Sequence, residues 1–189
     1  TALAAFIGAL LTTLLVYSLS RVQGKTVVVN LILVGVAINA MARGFVTLFS
    51  FIGGTMAQSQ VVFWQLGSLA GAGWSSAVIT LIITVIGIVI ACLCAPKMDL
   101  LALGENQARH LGVNVERFRL CVIILVAALV GVGVAFAGVI AFVGLIVPHA
   151  IRLIIGPQHK WLLPTSAFGG AFVLLVADTC ARTIISTAE

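Results

Sequence analysis

The chain has 189 residues, 62% hydrophobic and 8% charged, with a formal net charge of +5. A soluble domain is roughly 45–50% apolar and about 25% charged, so a soluble fold is excluded; disorder is excluded as well, because apolar content is high and net charge modest. A transmembrane barrel would need roughly 10-residue alternating strands, whereas the apolar runs here are longer and unalternated, which leaves an all-α polytopic transmembrane helical bundle.

A spanning helix needs about 20 apolar residues. The first predicted span covers 1–20. It opens on Thr1 rather than Met, and the far end closes at Ser186–Glu189 without a recognisable ending. The expectation is therefore an internal piece of a longer membrane chain. Arg21 and Lys25 form the first loop, and a second span covers 26–52. Arg43 lies inside that span. A charge within the membrane is a functional candidate by default, and near the outer end a long basic side chain can also snorkel to the interface. Both readings stand. Asn39 at i−4 and Thr47 at i+4 share its face and extend a polar stripe.

The connection 53–73 reads GGTMAQSQVVFWQLGSLAGAG. Gly53 and Gly54 break the long second helix, Gln58-Ser59-Gln60 is polar, 61–66 reads as a short helix, and Gly67, Gly71 and Gly73 close it. Irregular backbone at membrane depth is tolerated only when buried in protein or lining a water-filled cavity. The segment is either a pore-lining gate or an interfacial helix anchored by Trp64 and Trp74. A third span covers 74–95. Cys92 and Cys94 near its end face about 200° apart on a helix. Together with Cys121 and Cys180 they read as small core residues, and no His/Cys spacing matches a structural zinc site.

Segment 97–119, KMDLLALGENQARHLGVNVERFR, is amphipathic in two pieces. Asp99 is placed to cap a first turn holding Leu100, Leu101 and Leu103, which Gly104 ends. Glu105 and Arg109 form an i,i+4 pair on a second short helix. Ala108, Leu111 and Val113 give that helix an apolar side, Gly112 stops it, and Asn114 caps the next span. So many leucines in a hydrophilic loop predict a docking element for a soluble partner. A span over 118–138, a turn at Gly138, a short helix of about 142–155 and a last span over 162–184 complete about five full spans plus short helices. Asp178 and Arg182 are predicted to pair at i,i+4.

Eight of the ten basic residues fall on alternate connections: 21–25, 97–119 and the 156–161 region with nearby Arg152. The connections at 53–73 and 138–141 carry none. This is the positive-inside pattern and places the basic connections in the cytoplasm. The net charge is a topology signal, and no basic patch for nucleic acid is left over.

The string from Met98 through Gly112 closely resembles the coupling segment of FecCD-type permeases, the membrane subunits of ATP-binding-cassette importers for ferric siderophores, haem and cobalamin. The resemblance continues at Ala137–His149 with Arg152, at Leu162-Leu163-Pro164, in Ala177-Asp178 through Ala181-Arg182, and around Phe63–Gly67 and Gly73-Trp74. It implies a permease subunit of about ten helices, of which this chain holds six, the fourth to the ninth. It implies inner-membrane location, a second permease subunit as homodimer partner, cytoplasmic ATPase subunits and a periplasmic substrate-binding protein. It implies alternating access, with no catalytic residue and no cofactor on this chain, and no P-loop pattern occurs in it. Leu103, Gly104, Glu105, Ala108, Arg109, Leu111 and Gly112 are then the ATPase-coupling candidates. Arg43, Asn39, Thr47, Gln60 and Gln65 are the substrate-path candidates. A path-lining arginine suits an anionic cargo, which favours haem, then a ferric siderophore, over cobalamin. An ion-driven secondary transporter is the alternative class, and it leaves the docking loop unexplained. A channel would need a ring of selectivity groups that the sequence does not show.

Overall fold

A computed structural model describes residues 2–22, 25–67 and 73–185. Gly71 and the 186–189 ending lie outside the described residues. Eight helices are found among the described residues: α1 (Ala2–Leu19), α2 (Val28–Ile52), α3 (Gly54–Leu66), α4 (Trp74–Ala102), α5 (Glu105–His110), α6 (Val115–Ala137), α7 (Val143–Ile155) and α8 (His159–Ile185). Between α1 and α2 lie two short strands, β1 (Arg21–Val22) and β2 (Lys25–Thr26), paired antiparallel with Arg21 opposite Thr26. Among the described residues four helices are long and apolar enough to cross a membrane: α2, α4, α6 and, over His159–Thr183, α8. Shorter apolar helices cover Ala4–Leu19 and Val143–Ile155.

Hydropathy located these elements well. Three differences have physical causes. First, α4 does not stop before the basic loop. It runs through Pro96 to Ala102, so the separate turn expected after Asp99 is the end of α4 itself. Second, α3 starts at Gly54 rather than near Val61. Gly53 keeps helical dihedrals and donates its N–H to the Phe49 carbonyl, and the break falls on Gly54 at φ 76°. One left-handed glycine is enough to redirect the chain, and the polar Gln58-Ser59-Gln60 stretch is absorbed into the new helix. Third, α8 starts at His159 rather than near Leu162; the turn at 138–142 and the short helix α7, continuous through Pro148, fall where expected. Phe142 takes the left-handed conformation at the N-cap, φ 66°.

The chain divides into two compact units. The first comprises residues 1–80 and 116–139. In it α6 lies against α1, where a Cβ on Gly131 would stand 3.1 Å from the Phe6 ring. The C-terminal end of α3 meets the end of α6 backbone to backbone. The Trp64 carbonyl accepts N–H groups from both Gly67 (3.3 Å) and Val139 (3.5 Å). A Cβ on Gly138 would stand 2.6 Å from that same oxygen, and one on Gly67 would stand 2.8 Å from the Val139 oxygen. The second unit comprises residues 81–115 and 140–189. In it α7 packs on α8, and Gly169 lets Ile151 and Val147 approach, as small residues do between membrane helices. Few side chains are buried, and large apolar groups face outward: Phe51 is 77% exposed and Ile154 82%. Such a surface needs lipid or further protein around it.

Candidate functional site

The segment between α4 and α6 is shaped by two glycines. Gly104, at φ 122°, turns the chain out of α4, and its carbonyl accepts the Ala108 N–H at 3.1 Å to open α5. Gly112, at φ 82°, ends the helix, with its N–H donated to the Arg109 carbonyl and the Val113 N–H to that of Ala108. Both positions are left-handed or beyond, where glycine is the natural choice. Glu105 sits in the first turn of α5 and Arg109 and His110 in the last, the arrangement the helix dipole favours. Ala108 is fully buried and seats the helix. Leu103 and Leu111, at its two ends, are 65% and 63% exposed. Glu105, Arg109 and Gly112 are exposed and Gly104 is half-buried. The coupling candidates therefore divide: Ala108 points into the chain, and two leucines with two opposite charges face outward.

Asp99 does cap a helix, but a distant one. Its Oδ1 accepts the His159 backbone N–H at 3.0 Å and lies 2.5 Å from His159 Nδ1. His159 is the first residue of α8, so the bond satisfies one of the N–H groups a helix leaves unpaired at its start. In this way α8 begins three residues earlier than hydropathy indicates. A second cluster escaped the sequence reading altogether. Glu116, on the first turn of α6, accepts the Thr26 N–H on Oε1 at 3.0 Å and the Thr26 hydroxyl on Oε2 at 2.7 Å. Arg119 donates from Nη1 to the Thr26 carbonyl at 2.8 Å and lies 3.4 Å from Glu116 Oε1. All three polar groups of the buried Thr26 are thus held by one turn of α6. Partners 90 and 93 residues away leave no local spacing to recognise.

These contacts sort the connections. In the first unit the basic 21–26 connection meets the start of α6, and in the second Asp99 meets His159 of the basic 156–161 region. The uncharged connections after α3 and after α6 meet each other through Trp64, Gly67 and Val139. Basic pairs with basic and uncharged with uncharged, in the alternation that the positive-inside pattern requires.

On α2, Asn39, Arg43 and Thr47 are all exposed on one face. Asn39 and Arg43 line an open groove of ≈ 560 Å³ on α2, together with Leu31, Gly35 and Val36. Among the described residues Arg43 has no hydrogen-bond or ion-pair partner. Gln60 and Gln65 are exposed on α3, and no hydrogen bond joins them to the α2 stripe among the described residues. Arg182 pairs with Asp178 at 2.8 Å, as their spacing predicts. Cys92, Cys94, Cys121 and Cys180 are free thiols.

The FecCD transport family profile matches residues 1–189. The hemin transport system permease protein of Yersinia pestis is 42% identical over 185 residues, covering 98% of this chain and 55% of that protein. The vitamin B12 import system permease protein of Vibrio vulnificus is 38% identical over 187 residues, covering 99% of this chain and 56% of that protein. A solved metal-chelate type ABC transporter in an inward-facing conformation superposes with a TM-score of 0.85 at 30% identity, covering 97% of this chain and 63% of that one. The chain spans about half the length of the curated relatives it matches. With its family profile matched from end to end and the expected helices in place, this chain belongs to the FecCD transport family and is a multi-pass inner-membrane protein.

Proposed function

We propose that this chain forms part of the permease subunit of an ATP-binding-cassette importer. Two such subunits enclose a path that opens alternately to either side, a binding protein delivers cargo from outside, and ATPase subunits dock on the cytoplasmic segment around α5. The observation that carries this reading is the exposure of Leu103 and Leu111 at the two ends of α5. Apolar groups on a short, well-seated helix in a basic connection are what an ATPase groove can grip, with Glu105 and Arg109 setting register. A secondary transporter or channel gives them no use.

The cargo is an iron-containing chelate, haem first and a ferric siderophore next. Arg43 supports this, because an exposed guanidinium on α2, unpartnered among the described residues, fits a carboxylate or another anionic oxygen pair. The identity with the hemin permease supports it too, while similar identity with vitamin B12 permeases keeps cobalamin as the second reading. On this reading α3 is a gate at the outer end of the path, with Gln60 and Gln65 facing cargo. The test is uptake into vesicles holding the full-length permease and its binding protein, with and without the ATPase subunit. Uptake that needs both ATP and the ATPase is expected, and transport persisting without the ATPase overturns the importer reading.

A further inference from the structure

The polar joint at Thr26 includes none of the proposed path residues and neither outward leucine of α5, yet along the chain it follows α5 closely and adjoins the head of α2. Four residues, 111–114, link α5 to α6, so a displacement of α5 reaches the first turn of α6 through covalent bonds alone. Glu116 and Arg119 stand on that turn and hold the N–H, hydroxyl and carbonyl of Thr26. Thr26 in turn precedes Val28, the first residue of α2, by two positions. The N-cap residue Val27 makes no side-chain cap bond, and Thr26 is only 4% exposed. The Arg119 and Glu116 side chains are 10% and 22% exposed, so water competes poorly for these bonds.

We propose that the Thr26–Glu116–Arg119 joint transmits movement of the coupling segment into the head of α2; the inference rests on the importer reading. Apolar packing lets helices slide, whereas a carboxylate accepting two bonds and a guanidinium donating a third fix both distance and direction. Beyond the joint, α2 is an unbroken helix over Val28–Ile52. A shift at its head is carried to Asn39, Arg43 and Thr47 as one body. Thr26, Glu116 and Arg119 are positioning residues, and they touch neither cargo nor nucleotide.

The experiment uses the full-length permease with its ATPase and binding protein in proteoliposomes, with hemin as the probe cargo, and reads cargo moved per ATP hydrolysed. Thr26→Val removes the hydroxyl at nearly constant shape, and Thr26→Ser keeps it. Thr26→Val is expected to lower cargo per ATP by about tenfold, the loss of one bond to a charged group, while ATP hydrolysis and complex assembly hold and Thr26→Ser restores the ratio. Should the Thr26→Val complex fail to assemble, Glu116→Asp, which keeps the charge on a shorter arm, is expected to show the same fall. A wild-type ratio in the assembled variant, or transport lost only in step with assembled complex, overturns the joint. Absence of ATP-dependent uptake by the unmodified protein overturns the importer reading and the joint together, and is thereby distinct from failure of the joint alone.

Discussion

Gly67 and Gly138 leave no room for a methyl group. Both have positive φ, 68° and 73°, and each would thrust a Cβ within 3 Å of the other's carbonyl neighbours. Gly138→Ala should therefore destabilise the folded protein by about 2 kcal/mol or more, combining left-handed strain with overpacking. Gly133→Ala, in α6 with nothing within 4 Å of its Cβ position, should be neutral or slightly stabilising. Thermal unfolding of both variants in detergent checks the contrast. Equal midpoints would mean that the α3–α6 crossing is loose. At Arg43 the expectation concerns cargo. Arg43→Ala should reduce uptake of an anionic chelate by about tenfold, the equivalent of one charged hydrogen bond, with ATP hydrolysis unchanged. Unaltered uptake would make Arg43 an interface anchor. The charge itself was plain in the sequence. Its lack of a partner among the described residues was not, since that depends on everything around it.

At the scale of elements, α5 is defined by its glycine ends. Gly104→Arg introduces a bulky charge at φ 122°, and Leu103→Glu places a charge at an outward apolar position. Each should cut cargo moved per ATP by about tenfold or more, as removal of a central docking residue does. An unaltered ratio would remove α5 from the coupling role. The α7–α8 pair gives a packing test. A Cβ on Gly169 would stand 2.6 Å from the flexible tip of Ile151 but 3.2 Å from the stiffer Val147. Gly169→Leu should cost about 1–3 kcal/mol by overpacking, and adding Ile151→Ala should recover part of it. Additive losses in the thermal midpoint would mean that the two side chains do not meet. Element boundaries set by apolar runs were legible: 26–52 became Val28–Ile52, and 142–155 became Val143–Ile155. Boundaries set by tertiary bonds were not. Lys97 and Asp99 mark the end of an apolar run, yet α4 continues to Ala102 and Asp99 caps α8, and no pattern within either segment announces a bond across 60 residues. The glycine turns at 104 and 112 were readable because glycine states its dihedral need locally, whereas the Thr26 joint states nothing locally.

For the whole molecule, the alternation of basic and uncharged connections now has a contact basis as well as a count. It predicts sidedness directly. In a chain whose four native cysteines are replaced, a membrane-impermeant maleimide should label Gln58→Cys in intact cells and Lys160→Cys only after the membrane is opened. Both positions are exposed, so lack of access cannot mimic the wrong side, and the reverse pattern would invert the topology. The outward apolar surface fits a multi-pass inner-membrane protein, in which burial is completed by lipid and by other chains.

The 90-residue separation between Thr26 and Glu116 also orders events during biosynthesis. Ribosomes add about 5–20 residues per second, so Thr26 has left the ribosome several seconds before the carboxylate that will hold it exists. Through that interval the bonds from Glu116 and Arg119 cannot hold the head of α2, and they form only once α6 has arrived. The charge on Arg21 and Lys25 can hold the orientation meanwhile, since it acts from the moment of insertion. The two devices divide the work in time: electrostatics sets which way α2 faces, and the late joint holds its head.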